Sequence, residues 1–224
     1  MNLLALDTST EFCSAALVRG EELTHRQAHA IQRHSELILP MIEELLAASG
    51  VVLSQLDGIA FGAGPGSFTG LRIACGVAQG LAFGADLPVV PVGTLVALAQ
   101  ESGASRVIAC LDARMGEVYH AVYRREAGKW LEVAAPGVGP ALAAPVVEGG
   151  GWFGCGSGFA AHAAALAQRY DGQLDEVAAD LHPHARSIAQ LALPVLAAGG
   201  AVPAERAAPI YVRDKVARKM HEQR

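Results

Sequence analysis

Charged and aromatic residues are scarce in this 224-residue chain, at 17% and 5% of the composition, whereas hydrophobic residues make up 52%. So apolar a composition excludes a disordered chain and can fill one large core or two small ones. The formal net charge is only -5, which excludes a broad electropositive surface. Any nucleic-acid contact should therefore be local or made through a partner.

The chain also lacks a cysteine framework and a long uninterrupted apolar run. The four cysteines are Cys13, Cys75, Cys110 and Cys155. They lie far apart without a C-x-x-C pair, which predicts buried free thiols in a reducing compartment. Asp7 interrupts the apolar start too early for a signal peptide, and Arg72 and Gln79 interrupt the Ala/Gly-rich stretch. We therefore expect a soluble, cytoplasmic protein that does not enter a membrane.

A glycine-rich segment, residues 62–72, separates a strand-like apolar run from a helix-like one. A strand, a glycine turn and a helix N-terminus together make an anion site, because backbone N–H groups and the helix dipole can hold a phosphate. The segment is not a P-loop, since Leu71 follows the last glycine where that motif needs Lys. A ligand site and a tight structural turn both remain open here. Ser67 is predicted to cap the following helix rather than to act as a nucleophile.

Asp7 and Asp112 each end the first strand of a predicted hairpin and are expected to face a cleft. Such carboxylates can orient a metal-bound water in phosphate-handling enzymes, but a turn-capping aspartate is commoner. The two interpretations are equal for Asp7, and capping is favoured for Asp112. Asp7, Gly64, Gly66 and Ser67 form a candidate vestigial nucleotide site, which would bind ATP or ADP weakly. The histidines show no metal-ligand spacing that completes a site, so no metal is predicted.

A helix is predicted from about Ser35 to Ala48, capped by Ser35 and ended by Gly50. Its apolar side chains span an arc of roughly 200°, about twice what one core needs, which favours a helix shared with a partner. They are Leu37, Ile38, Leu39, Met41, Ile42, Leu45 and Leu46.

A second helix, about Phe68 to Phe83, carries Gly70, Gly76 and Gly80. Each interior glycine costs about 1 kcal/mol relative to alanine. Close approach of another helix or backbone would offset this cost.

The second half of the chain repeats the first. Residues 108–122 align without gaps on residues 3–17, and residues 153–156 resemble residues 61–64. These matches predict duplicated α/β lobes, residues 1-103 and a smaller lobe 104-224 with a basic tail, divided at the polar patch 101–105. Residues 134–151 are predicted to be loop, and residues 159–169 and 185–198 to be helices.

Four motifs resemble the TsaB family of bacterial tRNA threonylcarbamoyladenosine biosynthesis proteins. They are LALDTST at 4–10, HSE at 34–36, GPGSFTGLRI at 64–73 and LDARMGEVY at 111–119. The resemblance is strong over residues 1–123 and weak beyond them, apart from PIYVR at 209–213. It implies an actin-like, Hsp70-like fold of the sugar-kinase superfamily, with two lobes of mixed sheets flanked by helices.

The resemblance also implies a role. Such a protein is an accessory subunit, not an enzyme, that helps the catalytic paralogue TsaD transfer a threonylcarbamoyl group to the tRNA adenosine beside the anticodon. The ATPase TsaE would be the third partner, and tRNA would be contacted only through the complex. TsaD carries a metal-binding H-x-x-x-H pair on the helix after the strand equivalent to residues 89–92. Residues 93–98 of this chain contain no histidine, so neither a metal nor another cofactor is expected.

By the same resemblance, the two helices form a bundle with the matching helices of TsaD, or with a second copy of this chain in its absence. The predicted interface consists of Leu37, Ile38, Met41, Ile42, Leu45, Leu71, Gly76 and Gly80. Two alternatives remain: a nucleotide-binding ATPase or kinase of the same superfold, and a peptidase. The sequence leaves open whether the basic tail, which includes Arg213, Lys215, Arg218, Lys219 and Arg224, touches tRNA.

Overall fold

Two five-stranded mixed sheets form the frame of the computed structural model, which describes residues 1–213. The strands of the first sheet are Asn2–Asp7 (β1), Phe12–Arg19 (β2), Glu22–His29 (β3), Gly58–Gly64 (β4) and Val89–Gly93 (β5). Those of the second are Arg106–Asp112 (β6), Glu117–Glu126 (β7), Lys129–Pro140 (β8), Trp152–Cys155 (β9) and Leu174–Ala178 (β10). The helices are His34–Ser49 (α1), Phe68–Ala85 (α2), Thr94–Ser102 (α3), Ser157–Ala161 (α4), Ala163–Arg169 (α5) and Ala185–Ala197 (α6).

The two sheets have the same topology, which confirms the predicted duplication. The strand order is β3-β2-β1-β4-β5 in one sheet and β8-β7-β6-β9-β10 in the other. In each sheet the first two strands form an antiparallel hairpin, and the first strand pairs in parallel with the fourth. The fold prediction of two α/β lobes with mixed sheets flanked by helices is therefore correct.

The ungapped alignment of residues 108–122 on residues 3–17 is wrong by one residue in β6. Leu6 packs in the core cluster that contains residues of α1 and α2, on the sheet face opposite to α6. Leu111, which the sequence alignment matched to it, packs with Leu95 and Leu98 of α3. α3 follows the last strand of the first sheet and α6 follows the last strand of the second, so the two helices are equivalent in the repeats. The face of the second sheet that packs on α3 therefore corresponds to the face of the first sheet that packs on α6. Leu111 lies on the former face, whereas Leu6 lies opposite to the latter, so the two leucines are not equivalent. A one-residue shift turns every side chain of a strand to the other face.

Two helices cross between the lobes. α3 packs Leu95 and Leu98 against the second sheet, and α6 packs Ile188 and Ala192 against the first. The first sheet lies within residues 2–93 and the second within residues 106–178, and this helix packing joins them. The division into residues 1-103 and 104-224 stays a prediction. The segment after α6 also returns to the first sheet, where Val202 bridges Val89.

Local signals in the sequence placed several element ends correctly. Gly50 ends α1 in the left-handed conformation at φ 63°, as a residue without a Cβ can. The Ser67 hydroxyl accepts a hydrogen bond from the Gly70 N–H at 3.3 Å and so caps α2. Ser35 does not cap α1, which begins at His34 after Arg33 and has no side-chain cap.

Other predictions for the second half were wrong. Residues 134–140 belong to the edge strand β8, although their prolines and glycines indicated a loop, because an edge strand tolerates residues without a free N–H. The helix predicted over 159–169 is interrupted at His162, which separates α4 from α5. Over residues 1–213, no helix is both long and apolar enough to cross a membrane.

Candidate functional site

The glycine-rich loop joins β4 to α2 and is packed by the chain's own backbone. A Cβ at Gly64 would lie 2.5 Å from the carbonyl oxygen of Ile210, and a Cβ at Gly66 would lie 2.5 Å from that of Ser9. A Cβ at Gly70 would overlap the carbonyl oxygen of Thr8. Carbonyl oxygens repel a phosphate, so the space that these glycines leave suits the protein's own turns rather than an anion.

Asp7 was predicted to face the cleft, but it does not. Its side chain is buried beside Gly62, at the end of β1, and its Oδ1 accepts hydrogen bonds from the backbone N–H (3.1 Å) and the hydroxyl (2.9 Å) of Ser9. Within residues 1–213, Oδ2 has no hydrogen-bond partner. Burial raises the pKa of Asp7 to about 6, and the bonds from Ser9 oppose that rise only in part. Asp7 is therefore a turn-capping residue sealed inside the first lobe.

Asp112 is the aspartate that reaches the cleft. Its Oδ1 accepts a hydrogen bond from the Arg114 N–H at 3.0 Å, and Arg114 Nη1 lies 3.2 Å from its Oδ2. His162 Nε2 lies 3.5 Å from Oδ1. Asp112 thus caps its turn, as the sequence indicated. In the part of the chain that the structure describes, no group of three metal-ligating side chains comes together.

The cleft between the lobes has a volume of about 1350 Å³. The first lobe contributes residues 65–71 and the turn after β1, and the second contributes residues 111–115. The segment 210–213 also lines it and ties the lobes together. Ile210 N–H donates to the Ala63 carbonyl at 2.7 Å, and the Arg213 guanidinium pairs with Glu117 of β7.

The segment 210–213 also packs on the start of α2. The Arg72 guanidinium lies 3.8 Å from the centroid of the Phe68 ring and donates to the Tyr211 hydroxyl at 3.1 Å. Because this segment lies over Gly64, the chain itself occupies the place above β4 where the sequence indicated a nucleotide. Lys215, Arg218, Lys219 and Arg224 of the basic tail lie outside the described residues.

Most of the predicted partner-interface residues of α1 lie inside the chain's own core. Ile38, Met41, Ile42 and Leu45 are buried at 8% exposure or less, in one cluster with residues of β1, β2, β4 and α2. The inference that the chain cannot cover this apolar arc by itself is therefore wrong for these four residues. Leu37 is half-buried, and Leu39 is 43% exposed.

The second predicted helix does present an uncovered face. Gly76 and Gly80 are exposed, and a Cβ at either position would meet no atom within 4 Å. Gly84 has the same surroundings, and we call these three residues the glycine stripe. Their spacing of four residues places them in one row along the helix. Leu71, by contrast, is buried at 2% exposure, so its assignment to this surface was wrong.

Apolar side chains border the glycine stripe. Phe83 is 79% exposed, and Ile73, Val77 and Leu81 are half-buried against the core. A row of glycines between apolar side chains forms a shallow groove, into which the side chains of another helix can pack. Gly84 and Phe83 were not predicted as part of this surface, although Gly84 continues the four-residue spacing of Gly76 and Gly80.

Comparisons with known proteins first identify the class to which this chain belongs. A sequence profile described as "TsaD: tRNA N6-adenosine threonylcarbamoyltransferase" matches residues 23–219. A crystal structure from Pseudomonas aeruginosa, described as an uncharacterized protein with similarity to peptidase YEAZ, superposes with a TM-score of 0.88 at 42% identity. The superposition covers 95% of this chain and 99% of that one. The chain is thus a two-lobed α/β protein related to TsaD, with the actin-like fold that the resemblance implied.

Two relatives narrow the class to a family. The tRNA threonylcarbamoyladenosine biosynthesis protein TsaB of Haemophilus influenzae is 41% identical, over 96% of this chain and 95% of its own length. TsaB of Escherichia coli K12 is 39% identical, over 98% and 97%. The chain belongs to the TsaB family, which confirms the resemblance found in its motifs.

Proposed function

We propose that this protein is an accessory subunit in tRNA threonylcarbamoyladenosine biosynthesis that binds a TsaD-type catalytic subunit. In this role it supports the transfer of the threonylcarbamoyl group to the tRNA adenosine beside the anticodon. A TsaE-type ATPase is the third partner, and the chain pairs with itself when TsaD is absent. The four buried free thiols support a reducing, cytoplasmic location.

The glycine stripe is the observation that carries this proposal. Glycine inside a helix destabilises it by about 1 kcal/mol relative to alanine. Gly70 is explained by the Thr8 carbonyl, but no atom of residues 1–213 lies close to the Cβ positions of Gly76, Gly80 and Gly84. An outside helix that packs closely on this row would account for their presence. Phe83, which is exposed, supplies apolar area beside the row.

A paralogue of the same fold fits this surface well. A helix with a smooth glycine row can approach an equivalent helix on a related lobe in a pseudo-symmetric pair. The same surface would allow a homodimer, which gives the isolated chain a way to cover its exposed apolar side chains. TsaD and a second copy would then compete for one face.

A non-catalytic role fits the chemistry of the site. The loop glycines are packed by backbone carbonyls, and Asp7 is sealed from the cleft. In α3, where the resemblance locates the metal pair of TsaD, residues 94–100 carry neither an imidazole nor a carboxylate. We therefore propose that no metal or nucleotide is required and that ATP and ADP bind at the glycine-rich loop weakly or not at all. Calorimetry of the isolated chain with both nucleotides tests this, since micromolar affinity with turnover would support the ATPase alternative instead.

The experiment on partner binding compares two charged substitutions on opposite sides of the first lobe. Gly80→Glu places a carboxylate in the glycine stripe, and Ala197→Glu places one on the exposed surface of α6. We expect Gly80→Glu to weaken binding to the TsaD-type subunit by about 100-fold or more, because a charge would be desolvated in the interface. Ala197→Glu should bind like the unmodified chain. Equal binding by both variants would refute the proposed interface.

A further inference from the structure

A second cavity, of about 540 Å³, lies between the β7–β8 hairpin and helices α3 and α6. It is lined by Gln100, Arg125, Gly128, Lys129, Trp130, Gln190, Leu191 and Pro194. None of these residues lines the interlobe cleft, and none belongs to the glycine stripe. The cavity is therefore a separate feature of the second lobe.

Two hydrogen bonds hold the aromatic wall of this cavity in place. The indole N–H of Trp130 donates to Gln100 Oε1 at 2.8 Å, and Gln100 Nε2 donates to Gln190 Oε1 at 2.9 Å. The chain of bonds links the hairpin to both helices, and Leu191 and Pro194 add an apolar edge. Trp130 is half-buried, so its ring is fixed while part of its surface reaches the cavity. A fixed ring loses little conformational entropy when a ligand stacks on it.

One cation lies beside this ring. Arg125 lies directly opposite Trp130 in the β7–β8 register, so both side chains project from the same face of the sheet. The guanidinium carbon of Arg125 lies 5.7 Å from the ring centroid. Over residues 1–213, Arg125 forms no salt bridge, whereas Arg124, on the other face, pairs with Glu126 at 2.7 Å. Lys129, the neighbour of Trp130 in β8, lies on that other face as well.

We propose that this cavity binds a nucleotide unit, with the base against Trp130 and the phosphate on the Arg125 guanidinium. A planar ring face is the surface on which a base stacks, and a guanidinium complements a phosphate. The free donors of the Gln190 amide can bind a base edge or a ribose hydroxyl. The site goes beyond the proposed partner-binding role and does not depend on it. A free nucleotide and a nucleotide within RNA share this chemistry, so the experiment has one arm for each.

The experiment measures binding of AMP by calorimetry and of a labelled tRNA anticodon stem-loop by fluorescence anisotropy, both with the full chain. In at least one arm we expect binding that falls about tenfold or more in Arg125→Ala. This variant should also lower the slope of log affinity against log salt by about 1. Arg124→Ala is the matched control, because it removes one arginine from the same strand on the opposite face. Its affinity should stay within about twofold.

Variants of the ring separate stacking from folding. Trp130→Ala should weaken binding by about tenfold, and Trp130→Phe, which keeps an aromatic face but loses the N–H, should keep most of the affinity. A chemical unfolding curve of each variant checks that the fold is intact. The proposal is overturned if neither AMP nor the stem-loop binds at millimolar concentration, or if Arg124→Ala weakens binding as much as Arg125→Ala. Neither result bears on the glycine stripe, which Gly80→Glu tests separately.

Discussion

The glycines of the first lobe fall into two groups that differ in what surrounds them. Gly62 and Gly70 are held against the chain's own atoms, the Asp7 carboxylate and the Thr8 carbonyl. Gly76 and Gly80 of the same helix face open space. A glycine with a neighbour is explained by the fold, whereas an exposed glycine in a helix weakens the fold without a reason inside the chain. The glycine at the start of α2 is therefore required by packing within the chain, whereas the glycines in its middle indicate a contact with another molecule.

The largest expected effect is that of Gly70→Ala. The added methyl would overlap the Thr8 carbonyl oxygen, and because both groups belong to packed backbone, α2 would have to move away from the β1–β2 turn. We expect the free energy of unfolding to fall by about 3 to 4 kcal/mol. Urea unfolding measures this loss. A variant as stable as the unmodified chain would show that Gly70 belongs with the exposed group.

Asp7→Asn tests the other tight contact, that between Gly62 and the buried carboxylate. Burial raises the pKa of Asp7 from 3.8 to about 6, so between these values the folded chain binds more protons than the unfolded one. Stability therefore falls as pH rises from about 4 to 6, and the ionised group costs about 3 kcal/mol above that range. Asn keeps an acceptor for Ser9 without the charge.

We expect Asp7→Asn to raise the free energy of unfolding at pH 7.5 by about 2 kcal/mol and to remove most of the loss between pH 4 and 6. Unfolding curves at several pH values measure both effects. Asp171→Asn, at an exposed position, is the control and should change neither. Lower stability of Asp7→Asn at pH 7.5 would mean that the carboxylate has a favourable role at this position.

Features with a local signal in the sequence were predicted correctly. Ser67 and Gly50 were placed correctly because a helix cap depends on the residue itself and its next few neighbours. The duplication of the lobes followed from one hairpin motif found twice. Gly84 was missed, although it continues the four-residue spacing of Gly76 and Gly80.

Features that depend on contacts between distant parts of the chain were not predicted correctly. The apolar arc of α1 could be counted, but not that β2, β4 and α2 cover Ile38 and Leu45. The direction of Asp7 depends on which face of the sheet the last residue of β1 occupies, and its place at a strand end did not determine that. Part of the backbone that packs against the loop glycines belongs to Ile210, nearly 150 residues beyond Gly64. No local sequence pattern predicts such a contact.

Ser67→Ala has a smaller expected effect. The hydroxyl caps α2 at the end where the glycines are internally packed, and the loss of such a cap costs about 1 kcal/mol. We expect that loss of stability, measured by thermal unfolding, with tRNA modification in a reconstituted system unchanged. Abolished modification by a folded Ser67→Ala protein would contradict the structural role and favour the peptidase alternative.

The double substitution Gly76→Ala/Gly80→Ala tests most directly whether the exposed glycines serve a partner. In the isolated chain, alanine should stabilise α2 by about 0.5 to 1 kcal/mol per site, since nothing lies within 4 Å of either new methyl. In a binding titration with the TsaD-type subunit, the two methyl groups should keep the helices apart and weaken the affinity about tenfold. Higher stability with lower affinity is the result predicted here. Higher stability with unchanged affinity would contradict the account.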